Sequence, residues 1–125
     1  MIPHSDVKLT IAFNDPDLDL EERDEQAQQL MAELRQMDEV ETIDRVLDPN
    51  PPEGNKAIGG FLVGLLTAEA NVANAMKLMG FLGDRLSNKP IELSVEANGK
   101  KLSVKASSRE ELEVAIKAAK DFIEK

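Results

Sequence analysis

The chain contains the segment Ile91-Glu92-Leu93-Ser94-Val95-Glu96-Ala97-Asn98-Gly99-Lys100-Lys101-Leu102-Ser103-Val104-Lys105-Ala106, and its fold is best read outward from there. Apolar and polar residues alternate on both sides of Asn98-Gly99, the period of two expected of strands with one buried face. A two-residue Asn-Gly loop selects a type I′ turn, whose twist matches that of the strands it joins. Such a turn predicts the register. Glu96 faces Lys101, Ser94 faces Ser103 and Glu92 faces Lys105, while Val95–Leu102, Leu93–Val104 and Ile91–Ala106 pair on the other face. Opposite charges then meet on the wet side and aliphatics on the dry side, each pair contributing roughly 0.2–1 kcal/mol.

Beyond the hairpin, Ser108-Arg109-Glu110-Glu111 matches a capping box, in which the serine and the glutamate three residues on satisfy orphan backbone donors. The helix it opens places Leu112, Ala115, Ile116, Ala119, Phe122 and Ile123 inward. At the other end of the chain, Val7, Leu9, Ile11 and Phe13 alternate with Lys8, Thr10 and Ala12, which predicts a half-buried strand. Asn14-Asp15-Pro16-Asp17 breaks it and leads into an acidic helix over about 18–37. The inner stripe of that helix is Ala27, Leu30, Met31, Leu34 and Met37. A second strand is expected near 40–47, with a bulge or two buried faces because Val40, Thr42, Ile43, Val46 and Leu47 follow no single period of two.

The segment from Ala57 to about Leu66 is apolar on nearly every side. Ile58, Phe61, Leu62, Leu65 and Leu66 form one helical face, and Gly60, Val63, Gly64 and Thr67 form a small uncharged face opposite. It is read as a short helix, with a further helix from about Glu69 to Leu86 capped by Thr67 or Asn71. Whether 57–86 is one rod or two is left open. The expectation is one α+β domain over 1–125 in the order β-α-β-α(α)-β-β-α. It would have a four-stranded mixed sheet, its first two strands parallel through a right-handed crossover, and helices mainly on one face. Residues 1–6 are expected to be a loose N-terminus and 48–56 a Pro/Gly loop; the strand order is not legible.

Composition narrows function mainly by exclusion. Cysteine is absent and His4 is the only histidine, which removes disulfides, thiolate metal sites, a thiol nucleophile and most acid–base constellations. Asp15-x-Asp17-x-Asp19 resembles the opening of a calcium loop, but Leu20 and Gln26 stand where such a loop needs glycine and a bidentate glutamate. Gly59-Gly60 and Gly80-x-x-Gly83 lack the residues of a phosphate loop. No catalytic, metal-ligating or cofactor-binding residue is assigned, no cofactor is expected, and the chain is read as a non-enzyme. Fifteen basic residues oppose twenty-four acidic ones, a formal charge of −9. That balance disfavours nucleic acid, as do four scattered phenylalanines without tyrosine or tryptophan. The acidity is local: residues 14–48 hold thirteen acids and three bases, and the remainder of the chain sums to +1. No apolar run reaches the ~20 residues a bilayer requires, and the start carries neither a basic region nor an apolar core. No membrane and no signal peptide are therefore expected, with cytoplasmic localisation as the default.

The small uncharged face, Gly60, Val63, Gly64 and Thr67, is the candidate partner-binding surface, for a protein partner or a second copy. Burial between the sheet and neighbouring helices is the plainer explanation of the same residues.

In order and spacing the chain resembles the effector-associated constant component family, small accessory domains of bacterial conflict and defence systems. The likeness runs from about Val7 to Phe122. It is carried by the Asp15-Pro16-Asp17 turn into an acidic helix, the loop Asn50-Pro51-Pro52-Glu53-Gly54 and Ala57-Ile58-Gly59-Gly60-Phe61-Leu62. A broken apolar helix pair and the Asn98-Gly99 hairpin before the last helix complete it. The resemblance implies a non-enzymatic adaptor acting beside caspase-like or trypsin-like effectors, and it carries over no binding residue. A small-ligand sensor with a pocket under the helical block is the alternative function.

Overall fold

A computed structural model describes residues 6–47, 57–58, 61–87 and 89–124. Both the loop at 48–56 and the candidate residue Gly60 lie outside the described residues. Strand β1 (Val7–Phe13) leads to helix α1 (Leu20–Arg35), then β2 (Thr42–Leu47), the two-residue β3 (Ala57–Ile58) and the long β4 (Phe61–Ala70). Helix α2 (Val72–Arg85), the hairpin β5 (Ile91–Ala97) and β6 (Lys100–Ala106), and helix α3 (Arg109–Glu124) complete the chain.

The sheet order is β2-β4-β1-β5-β6, with β3 paired to one end of β4 and every pairing antiparallel. β1 and β2 run in the same direction but are separated by β4, and β4 and β5 in turn are separated by β1. Two split βαβ units thus interlock, and β6 with α3 is added at one edge. The expectation of a single α+β domain holds. Its finer form is corrected: the sheet is antiparallel rather than mixed and has five main strands rather than four.

The added strand is β4, which occupies the segment read as a short helix. From Leu65 onward it alternates as a strand should, with Leu66, Ala68 and Ala70 buried and Leu65, Thr67 and Glu69 on the open side. Ahead of that run the pairing with β2 slips. Arg45 faces Leu66 but Leu47 faces Phe61, so 62–65 are crowded opposite Val46. This irregularity contains Gly64 at φ +71°, a left-handed conformation that costs glycine little and other residues more. The bulge breaks the period of two, and leucines on both sides of it imitate a helix that is apolar all round. α2 accordingly starts later than expected, at Val72, where Asn71 caps it by accepting from the Asn74 N–H at 2.8 Å.

One core runs under the sheet. Val7, Leu9, Ile11 and Phe13 of β1, Leu66, Ala68 and Ala70 of β4, and Ile91, Leu93 and Val95 of β5 face the helices. α1 meets them with Ala27, Leu30, Met31 and Leu34, α2 with Ala75, Leu78, Met79 and Leu82, and α3 with Leu112, Ala115, Ile116, Ala119 and Ile123. α1 packs over β4, β1 and β2, α3 over β6 and β5, and α2 against α3. Among the described residues, no helix packs on the opposite face of the sheet.

Two polar contacts fix α1 within this layer. Asp24 is the one buried charged side chain among the described residues. It pairs with the Arg45 guanidinium of β2, and its Oδ1 accepts the Gly64 N–H of β4 at 3.1 Å. Gln28 Nε2 donates to Oδ2 at 2.9 Å. Nearer the helix end, Arg85 of α2 clasps Glu33. Its Nε donates to the two carboxylate oxygens at 2.9 and 2.8 Å, and its Nη2 lies 2.7 Å from Oε2. This bonding holds the Glu33 carboxyl below its ordinary pKa and raises that of Arg85.

Gly64→Ala is expected to destabilise the fold by roughly 1–3 kcal/mol, because the conformation is left-handed and a Cβ would stand 3.0 Å from the Phe13 carbonyl oxygen. Gly80→Ala, on α2 with nothing beyond its own stretch of helix within 4 Å of the new Cβ, is expected to stabilise by about 0.5–1 kcal/mol. Thermal melts of the two variants check both signs. Glu33→Gln is expected to cost less than about 1 kcal/mol, since the pair is partly solvated. A carboxyl lowered by folding stabilises above its unfolded-state pKa and ceases to do so as pH falls through its folded-state value. The stability gap between wild type and Glu33→Gln should therefore be full at neutral pH and close on acidification below the ordinary carboxylate range.

Candidate interaction surface at the sheet edge

The hairpin forms in the register that Asn98-Gly99 dictates. Asn98 and Gly99 take φ 55° and 75°, and the pairs run from Ala97↔Lys100 through Ser94↔Ser103 to Ile91↔Ala106. Ser94 Oγ and Ser103 Oγ are 3.1 Å apart, and Lys105 Nζ lies 3.7 Å from Glu92 Oε2. At the start of α3, the Glu111 N–H donates to Ser108 Oγ at 3.1 Å as a capping box requires. The return bond, however, runs from the Ser107 N–H to Glu111 Oε1 at 2.7 Å.

On the uncovered face the paired residues line up in rows across the sheet. Thr42, Glu69, Lys8, Glu96 and Lys101 form one row, and Asp44, Thr67, Thr10, Ser94 and Ser103 the next. A third consists of Leu65, Ala12, Glu92 and Lys105. The first alternates in sign after Thr42 and the second is mainly hydroxyl. No aromatic ring stands in any of them, so these rows offer no stacking platform for bases.

Among the described residues, two main strands have a single neighbour, β2 and β6. The geometry of β6 is set by its turn. Residues flanking a two-residue loop exchange both backbone bonds, and bonded and unbonded pairs alternate from there. Lys100, Leu102, Val104 and Ala106 therefore bond inward to β5, while Lys101, Ser103 and Lys105 direct their N–H and C=O groups away from the sheet. All three are exposed, with their side chains on the uncovered face. On the helix side, α3 overhangs this edge. Val104, Val114, Ala115 and Ala118 line an apolar groove of about 370 Å³ with Lys105, Glu110 and Glu111. Val114 is 70% exposed, the most exposed large apolar side chain among the described residues. A strand with one open edge and an apolar shelf above it is the arrangement that strand addition uses.

Of the residues first singled out for a partner, Gly60, Val63, Gly64 and Thr67, the structure describes the last three. Val63 and Gly64 are buried within this one chain, Gly64 against Phe13 and Arg23. Thr67 is half-buried in the hydroxyl row of the uncovered face. The helix that would have presented them together is a strand. β6 itself is legible as the second strand of the hairpin, and its being an edge is not, because that depends on sheet order.

The acids ahead of α1 serve the backbone. Asp15 Oδ1 accepts the Asp17 N–H at 2.9 Å, and Asp19 caps α1 in a full capping box with Glu22. Among the described residues, no group of three or more acids or histidines is placed to hold a metal ion, and no helix is long and apolar enough to cross a membrane. A second cleft of about 430 Å³ lies between α2 and α3, lined by Met79, Gly80, Gly83, Arg109, Ile116 and Lys120 among others, with charges of both signs. No family model, no curated protein and no solved structure matches the chain.

Proline substitution tests the edge geometry directly. Ser103→Pro removes only an outward N–H and is expected to cost no more than about 1 kcal/mol. Val104→Pro removes a bond to β5 and is expected to cost at least ~2 kcal/mol in chemical denaturation.

Proposed function

We propose that the protein is a non-enzymatic interaction domain, an adaptor that takes an extended segment of a partner protein as an added strand on β6. The observation that carries this is the coincidence of three outward-bonding residues, Lys101, Ser103 and Lys105, with the apolar overhang of α3. Either alone is common. Together they supply the two things an added strand needs, backbone partners along its length and a place for its inward side chains. The setting beside a bacterial caspase-like or trypsin-like effector is part of the proposal and rests on the resemblance in element order. One feature of that likeness, the apolar helix pair, is here a strand followed by a helix.

The alternative, a small-ligand sensor, finds its space in the α2–α3 cleft rather than beneath the helices, where core side chains fill the layer. A photo-crosslinking benzophenone residue introduced at Ser103, and separately at Lys117 beside the cleft, discriminates in cells that express the natural partner. Protein adducts from position 103, identified as an effector-system component, are the expected result. Adducts from position 117 alone would move the partner surface to the cleft, and adducts from neither would remove the adaptor reading.

A further inference from the structure

Resting on that reading of β6 as a docking edge, we propose that the strand it receives is acidic. The occupant is a segment of a partner protein running antiparallel to β6, with carboxylates at alternate positions and small aliphatic residues between them. Residues whose backbone groups point outward form the directly bonded pairs of an added antiparallel strand. On β6 these are Lys101, Ser103 and Lys105, so the side chains opposite them lie on the uncovered face beside two ammonium groups and a hydroxyl. β5 already shows the pattern this row accepts from its inner side, with Glu96, Ser94 and Glu92 facing Lys101, Ser103 and Lys105. Those two glutamates match the two lysines of this face in number, and Lys105 keeps 79% of its side-chain exposure even with Glu92 beside it. A matching acidic strand on the outer side would place each of Lys101 and Lys105 between two carboxylates.

The intervening side chains of the added strand point the other way, into the groove beneath α3. Its walls, Val104, Val114, Ala115 and Ala118, suit small aliphatic groups. Glu110 and Glu111 also border the groove, but on the helix side, across the added strand from its carboxylates. A second copy of this chain fits less well. The register that overlaps two β6 strands fully is centred on Ser103, and it sets Lys101 against Lys105 twice, where like charges directly opposite are unfavourable.

The test uses the full-length, isotope-labelled protein and a capped heptapeptide of sequence Ile-Glu-Leu-Ser-Val-Glu-Ala, titrated to millimolar concentration and followed by amide chemical shifts. Binding should move the Lys101, Ser103 and Lys105 amides and weaken by about tenfold when both peptide glutamates are lysines. It should be lost in Ser103→Pro, whose fold is checked by its melting temperature, and its charge preference should invert in the Lys101→Glu, Lys105→Glu double variant. Equal binding of both peptides at β6 would overturn the acidic partner and leave the docking edge intact. No shift at β6 with either peptide would overturn both. A dimer that forms with rising concentration and is abolished by Ser103→Pro would make a second copy the occupant and overturn the proposal.

Discussion

The arrangement of this molecule depends on where the Asp24 carboxylate is held. It sits on the inner stripe of α1, 2% exposed, three residues before Ala27 and seven before Met31. A carboxylate in that position is tolerated only if paired and hydrogen-bonded, and leaving such a charge without its partner costs about 3–5 kcal/mol. Arg45 and the Gly64 N–H meet the requirement, and they come from different strands. The ion pair therefore locates α1 over the β2–β4 side of the sheet. It also ties the helix to the bulge in β4, whose glycine lets the backbone approach α1 without a side chain between them. A well-packed apolar replacement of such a pair is often as stable. The contribution of Asp24 is thus better understood as positional: it sets which strands α1 covers.

That placement has a consequence at the far edge. With α1 over β4, β1 and β2, the cover of β5 and β6 falls to α3, which arrives directly from β6 and packs back across it. A helix is wider than the ~4.8 Å spacing of strands, so one centred near the last strand extends beyond it. Val114 and Ala118 occupy that extension. The apolar shelf above the open edge thus follows from the addition of a β-α unit to two interlocked βαβ units.

What could be read from the sequence divides along the same line. The β5–β6 register, the capped α3, the alternating β1 and the inner stripe of α1 are local, each set by turn chemistry, a cap or a period within a few residues. β4 is where local reading fails. Apolar residues occur at 61, 62, 63, 65 and 66, and Gly64 shifts the alternation by taking a conformation the sequence permits but does not demand. A signal was present in Leu66-Thr67-Ala68-Glu69-Ala70, which alternates cleanly and contains the β-branched Thr67. Asp24 was also visible in principle, as an acid on an otherwise apolar stripe. Its partners were not, because they lie 21 and 40 residues away and meet it only through the sheet order.

Strand order also gives the charge of the chain a direction. The acids from Asp15 to Asp44 belong to α1, β2 and their flanking turns, at one side of the sheet, whereas Lys100, Lys101 and Lys105 lie along the opposite edge. A net charge of −9 suggests a surface that repels acidic partners everywhere. Within about 10 Å, the screening length at ordinary salt, the local charges matter more than the sum. An acidic segment is repelled from the α1–β2 side and accepted at β6, and a basic one behaves in the reverse sense. The same separation disfavours the wrong edge: β2 carries Asp44 and is preceded by Glu41, so an acidic strand that could add to either edge of the sheet has an electrostatic reason to choose β6.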